Sequence, residues 1–140
     1  MLERSCGTVL FKIIDGTVHY LIIKSAKSGF CGLPKGHMEN DENEEQTAYR
    51  ETWEETSVKP DFIKGFRTQT QYNLKNGNTK IVVFFLADYT GQEPAHNDGF
   101  ENLLYLSLPY EEAYEALSLV KMKTVLSEAN DFIIANILNK

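Results

Sequence analysis

Glu51, Glu54 and Glu55 carry the spacing with the clearest chemical content in this chain. Residues three and four apart share one face of an α-helix, so these three carboxylates would project together within about one turn. Like charges at that spacing weaken a helix unless a cation sits among them. A hard divalent ion such as Mg²⁺, bound through oxygen ligands, would turn the repulsion into a site. Arg50 stands four residues before Glu54 and can pair with it, orienting a carboxylate that binds metal. The competing reading is a solvated acidic helix held by i,i+4 pairs.

The elements that must hold these side chains can be read on either side of them. The helix starts from an N-cap at Asn40 or Asp41 and runs to Glu55 or Thr56. Tyr49 and Trp53, four apart and off the carboxylate face, are expected to pack on a sheet. Ser5 to Ile14 and Val18 to Ile23 are β-branched and apolar and read as strands joined by an Asp15-Gly16 hairpin turn. Lys24 to Gly36, rich in Ser, Gly and Lys, reads as a loop. Phe62 to Tyr72 is strand-like with imperfect alternation. Asn76-Gly77-Asn78 is a turn, and Lys80 to Asp88 a buried strand. Thr90 to Gly99 is a polar loop and Leu103 to Leu108 a last strand. Pro109 suits the first turn of a short helix through Leu117. Ser127 to Leu138, extending back toward Lys121, is an amphipathic helix. The fold class is α+β, one domain over residues 1–140, with a mixed sheet between helices.

Composition narrows the partners. The 140 residues hold 14 Lys and Arg against 20 Asp and Glu, a net charge of −6. That balance argues against a long nucleic acid or an anionic membrane, which call for a basic footprint. It leaves room for a small phosphorylated molecule, because bound metal inverts the local charge. Cys6 and Cys31 have no partners at zinc spacing and imply no disulfide framework. Reduced thiols, no signal-peptide pattern in Met1–Ile14 and no apolar run near the ~20 residues of a bilayer span make the expected location cytoplasmic. The expected state is a monomer or small homo-oligomer.

The segment Gly36–Val58, GHMENDENEEQTAYRETWEETSV, resembles the signature of the Nudix hydrolases. Gly36, Glu42, Arg50, Glu51, Glu54, Glu55 and Val58 match its specified positions. Thr52 stands where the family has an apolar residue, and Ser57 replaces a glycine. If that glycine needs a left-handed backbone, serine costs roughly 1–2 kcal/mol there. The resemblance implies a Nudix fold and metal-assisted hydrolysis of a nucleoside diphosphate linked to another group. It assigns Gly36, Glu51, Glu54 and Glu55 to Mg²⁺, or Mn²⁺ in its place. Glu54 would orient or deprotonate the attacking water, with Arg50 bracing it, and Glu42 would fix the loop or an outer metal. In several subfamilies the base lies on a later loop, where this chain has Asp98 and Glu101; Glu101 is the alternative base, or else an exposed loop acid.

Pro34-Lys35-Gly36-His37 resembles the lead-in of the asymmetrical diadenosine tetraphosphate hydrolases within that family. The first strand, Tyr72 followed by Lys80, and Glu111-Glu112-Ala113 are similar to that group as well. The substrate expected from this is diadenosine tetraphosphate, cleaved to ATP and AMP. Lys35, His37 and Lys80 can donate to a polyphosphate, and Tyr72 can stack on adenine. The bland alternatives are solvated lysines, a structural loop histidine and a core aromatic. The group's second adenine-stacking aromatic is missing, with Leu119 in its place and Tyr114 nearby. Its loop tryptophan is missing too, with Cys31 close to its place. The other substrates kept open are 5′-triphosphorylated RNA ends and damaged nucleoside triphosphates. A non-catalytic nucleotide-binding module is the alternative outside enzymes.

Overall fold

The computed structural model describes residues 2–139. Strand β1 (Leu2–Ile14) turns through Asp15 and Gly16, both at positive φ (49° and 81°), into β2 (Thr17–Ser25). This is the backbone that an Asp-Gly hairpin turn requires. Two short strands, β3 (Cys31–Gly32) and β4 (Lys35–His37), follow within the stretch expected to be loop. Helix α1 spans Glu44–Thr56, then come β5 (Asp61–Asn73), β6 (Thr79–Asp88) and β7 (Leu103–Pro109). Helices α2 (Tyr110–Ala116) and α3 (Val120–Ile133) complete the chain, with a π-helical extension over Ile134–Leu138.

The sheet is mixed, in the order β3-β2-β1-β6-β5. Among the described residues only β1 and β6 run parallel; β7 lies on the far edge of β2 and β4 pairs with β1. Helix α1 packs against one face of the sheet, through β1, β4 and β6, and α2 and α3 pack on the other. The larger core lies on the α3 side, around Phe11, Tyr20, Phe84, Met122 and Leu126. The irregular alternation of β5 has a structural cause: its pairing with β6 shifts register between Phe62 and Arg67, with Gly65 at φ 98°. A bulge of this kind inserts unpaired residues and breaks the period of two.

One feature of the sheet creates a cleft. Strand β1 pairs with β2 through Phe11–Ile14 but with β4 through Ser5–Gly7. Strand β2 correspondingly leaves β1 after Tyr20 and pairs with β3 at Ile23 and Lys24. The two strands therefore splay apart, and the chain from Leu33 to Lys35 runs into the opening. Among the described residues, no helix is long and apolar enough to cross a membrane.

Candidate active site

Helix α1 starts at an N-cap formed by Asn43, not by Asn40 or Asp41. The Asn43 side chain accepts from Gln46 N–H, and the Gln46 side chain accepts from Asn43 N–H, both at 2.8 Å. This capping box satisfies two otherwise unpaired donors. Asp41, the rejected cap, sits in the preceding loop with a left-handed backbone at φ 71°.

The face that α1 presents to the sheet is made of small residues: Thr47, Ala48, Thr52 and Thr56 are buried. Tyr49 and Trp53 do not anchor the helix as expected. They are 40% and 43% exposed, and only Tyr49 reaches an aromatic neighbour, Phe62, with ring centroids 6.4 Å apart. Small side chains let α1 approach β1 closely, and that closeness carries the carboxylates over β4.

Arg50 organises the acidic face. Its Nε donates to Glu42 Oε2 at 2.6 Å and its Nη2 to Glu42 Oε1 at 3.0 Å. Its Nη1 donates to Glu51 at 2.8 Å and to Glu54 at 2.9 Å, and Nη2 also reaches the His37 carbonyl at 2.9 Å. Glu42 further accepts from Glu39 N–H and from the Thr47 hydroxyl, so it braces the loop before α1. The Arg50 hydrogen bonds pull the Glu42 carboxyl down to about 2.

Glu51 and Glu55 lie over β4. A side chain on Gly36 would collide with the Glu51 carboxylate, and Glu55 Oε2 accepts from Lys35 N–H at 3.2 Å. Burial, and then the Glu51 charge, push the Glu55 carboxyl up to about 8. Among the described residues no three acidic, His or Cys side chains converge into a ready-made coordination sphere. Glu51 and Glu54 share the Arg50 Nη1 instead.

The predicted phosphate donors share one sheet face. In the strand register Lys35 lies opposite Gly7, His37 opposite Ser5, and Lys80 opposite both Glu3 and Tyr72. Glu3, Ser5 and Gly7 alternate along β1, so these partners point to the same side. Lys35 is depressed by burial and by the Lys80 charge. His37 is more exposed, with Nε2 4.0 Å from Glu3. Tyr72 is half-buried; Lys121 lies over its ring at 4.7 Å, and its hydroxyl is buried without a partner among the described residues. The cleft at the β1/β2 splay opens beside them, lined by Lys35, Glu55, Phe30, Leu33, Leu119 and Met122 among others.

The later loop reaches the helix through a residue the sequence did not mark. Asn97 Nδ2 donates to the backbone carbonyls of Trp53 at 2.7 Å and Glu54 at 3.0 Å, and the Tyr105 hydroxyl donates to the Glu55 carbonyl at 2.5 Å. Both satisfy carbonyls in the last turn of α1. An Asn in a polar loop and a strand Tyr give no local sign of that role. Glu101 is exposed, and its carboxylate accepts from Gly99 N–H within its own turn at 3.1 Å. Asp98 is exposed as well.

Residues 5–126 match the NUDIX domain family. The chain belongs to the Nudix family. Its sheet between helices is the Nudix fold, and α1 is the Nudix helix. Both departures from the Nudix signature have a structural reading. Ser57 does adopt the left-handed conformation, at φ 61° and ψ 10°, and caps α1 through its N–H to the Trp53 carbonyl at 2.8 Å. Thr52 is fully buried and its hydroxyl shares a 2.8 Å hydrogen bond with that of Thr8, also fully buried. The polar departure is thus paired across the helix–sheet interface.

The asymmetrical bis(5′-nucleosyl)-tetraphosphatase of Mus musculus is 29% identical over 95% of this chain and 97% of its own. The Sus scrofa protein of the same name is 30% identical with the same coverage. A Caenorhabditis elegans Ap4A hydrolase solved as a binary complex superposes with a TM-score of 0.85 at 22% identity, covering 95% of this chain and 98% of that one. Nudix hydrolases generally use divalent metals. The groups present fit one: oxygen donors from Glu51, Glu54 and Glu55, and a β4 surface kept bare by Gly36 beneath the Glu51 carboxylate.

Proposed function

We propose that this Nudix chain, acting as one domain over residues 1–140, hydrolyses diadenosine tetraphosphate to ATP and AMP with Mg²⁺, or Mn²⁺ in its place. The observation that carries the reading is Glu55 bound to Lys35 N–H at one cleft, with Glu51 lying over Gly36 and Arg50 joining Glu51 to Glu54. The relatives at 29% and 30% identity over nearly the whole chain support the substrate. Bound to Glu51, Glu54, Glu55 and the Gly36 carbonyl, the metal would neutralise developing charge on phosphate oxygens and acidify water.

The remaining work falls to the chain. Lys35 and Lys80, on one sheet face, hold the polyphosphate as point charges, with His37 at the exposed rim. Tyr72 offers its ring to adenine. Glu54 takes the proton of the attacking water, and Arg50 fixes its carboxylate from the next turn. Glu101, bound within its own turn, is the alternative base. A cytoplasmic setting, a small-molecule substrate and no membrane partner go with this reading.

The test is a hydrolysis panel with and without Mg²⁺, containing diadenosine tetraphosphate, nucleoside triphosphates and 5′-triphosphorylated RNA, with products resolved by chromatography. The dinucleoside should have the highest kcat/KM. A higher value for a triphosphate or for RNA would overturn the substrate assignment.

A further inference from the structure

We propose that the segment from Ala95 to Tyr105 is a clasp that positions the carboxylate-bearing end of α1, with Asn97 as its main positioning residue. This rests on the reading that Glu54 and Glu55 bind a divalent metal.

Helix α1 cannot complete its own last turn. In a longer helix the carbonyls of Glu54, Glu55 and Thr56 would accept from the N–H groups of residues 58, 59 and 60. Val58 N–H instead donates to the Thr56 hydroxyl at 3.1 Å, and Lys59 N–H to the Gln92 side chain at 2.8 Å. Pro60 has no N–H. All three carbonyls are met from across the fold. Asn97 Nδ2 donates to Glu54, the Tyr105 hydroxyl to Glu55, and Ala95 N–H to Thr56, the last at 2.8 Å. Asn97 also shares the Trp53 carbonyl with the capping N–H of Ser57.

Charge makes that turn weak without such help. Glu51, Glu54 and Glu55 crowd the negative end of the helix dipole, and the last turn holds no basic residue. A lysine or arginine could cap these carbonyls, but its charge would compete with a metal for the same carboxylates. Asn97 and Tyr105 donate without adding charge. They fix the acids through the acids' own backbone.

The clasp is itself anchored on the sheet. Tyr105 lies on β7, paired with Ile23 of β2, and its ring meets that of His96 with centroids 5.3 Å apart. The Asn97 carbonyl accepts from Phe100 N–H at 3.0 Å, which closes a turn behind the amide that reaches α1. Groups that hold metal ligands in place without touching the metal commonly govern its affinity by about 10- to 100-fold. Here the hold is on the main chain. A carbonyl moves with its own Cα, so slack in this turn would displace the Glu54 and Glu55 carboxylates together.

The test compares Asn97→Ala and Tyr105→Phe with Gln92→Ala. The Gln92 side chain ties the same loop to the chain just beyond α1, accepting from Lys59 N–H and donating to the Lys59 carbonyl, both at 2.8 Å. Mn²⁺ binding without nucleotide, read by electron paramagnetic resonance, should weaken about 10- to 100-fold in Asn97→Ala. Tyr105→Phe should move in the same direction, and Gln92→Ala should keep the wild-type Kd. In metal-free protein, amide hydrogen exchange over residues 54–57 should quicken in Asn97→Ala and not in Gln92→Ala. Wild-type Mn²⁺ affinity in Asn97→Ala, even with faster exchange, would overturn the positioning role. Equal losses in Asn97→Ala and Gln92→Ala would overturn it too. If Asn97→Ala does not fold, Tyr105→Phe, which keeps its ring, decides the same question. If the wild type itself binds no Mn²⁺, the metal reading fails, and the exchange comparison alone decides whether Asn97 holds the last turn.

Discussion

A Cβ atom on Gly36 would lie 2.0–2.4 Å from the carboxylate atoms of Glu51, closer than any packed side chain tolerates. Glycine is needed here for space, and its backbone is an ordinary strand opposite Cys6. Gly36→Ala should therefore push Glu51 off β4. The expected result is a fall in kcat/KM of about 10²-fold, the usual effect of an ångström-scale misplacement. Far-UV circular dichroism should be unchanged. Wild-type turnover by Gly36→Ala would show that the position of Glu51 is not critical.

Arg50 holds Glu42 through Nε and Nη2 and shares Nη1 between Glu51 and Glu54, a geometry a lysine cannot reproduce. Arg50→Lys should lower kcat by more than about tenfold while leaving the protein folded. The Glu42 carboxyl, held at about 2 against its ordinary 4.5, sets the pH response. Because the folded value is the lower one, its contribution to stability is present above pH 4.5 and is lost as pH falls toward 2. Urea midpoints measured through that window should decline less in Glu42→Gln than in the wild type. An identical decline would remove Glu42 from the account.

Ser57 holds a left-handed backbone at φ 61° that strains any residue with a Cβ. Ser57→Gly should stabilise the protein by about 1 kcal/mol, read as a higher denaturation midpoint with an unchanged slope. A loss of stability would mean that the serine side chain contributes more than its backbone costs.

Thr8 and Thr52 share a hydrogen bond at 2.8 Å with no exposure to solvent. Thr52→Val leaves the Thr8 hydroxyl buried and unpaired and should cost about 1–3 kcal/mol. Replacing both by valine should recover most of that loss, because neither hydroxyl is then stranded. Additive losses in the double variant would contradict the pairing.

The pattern of what was legible in the sequence follows from the range of the interactions. The Asp15-Gly16 hairpin, the strand at Lys80 to Asp88 and the helix that carries Glu51, Glu54 and Glu55 depend on neighbours within a few residues, and each is found in the structure. The left-handed turn at Ser57 was likewise visible, as a serine where a glycine is expected. Strands β3 and β4 look like loop in the sequence because two or three residues carry no periodicity; β4 exists because β1 has a free edge to offer Lys35–His37. Tyr49 and Trp53 misled because helical spacing says which residues share a face, not which face is buried. Small residues won the buried face of α1 through the closeness of β1. Asn97, Tyr105 and the Cys31–Ser118 hydrogen bond join residues far apart in the chain and leave no local trace.

Chromatography of diadenosine tetraphosphate incubated with Mg²⁺ and either the wild type or Glu54→Gln tests the central claim most directly. The wild type should give equimolar ATP and AMP, with none formed when the metal is chelated. Glu54→Gln should be slower by orders of magnitude with its fold intact. ADP as the sole product, or turnover by Glu54→Gln at the wild-type rate, would contradict it.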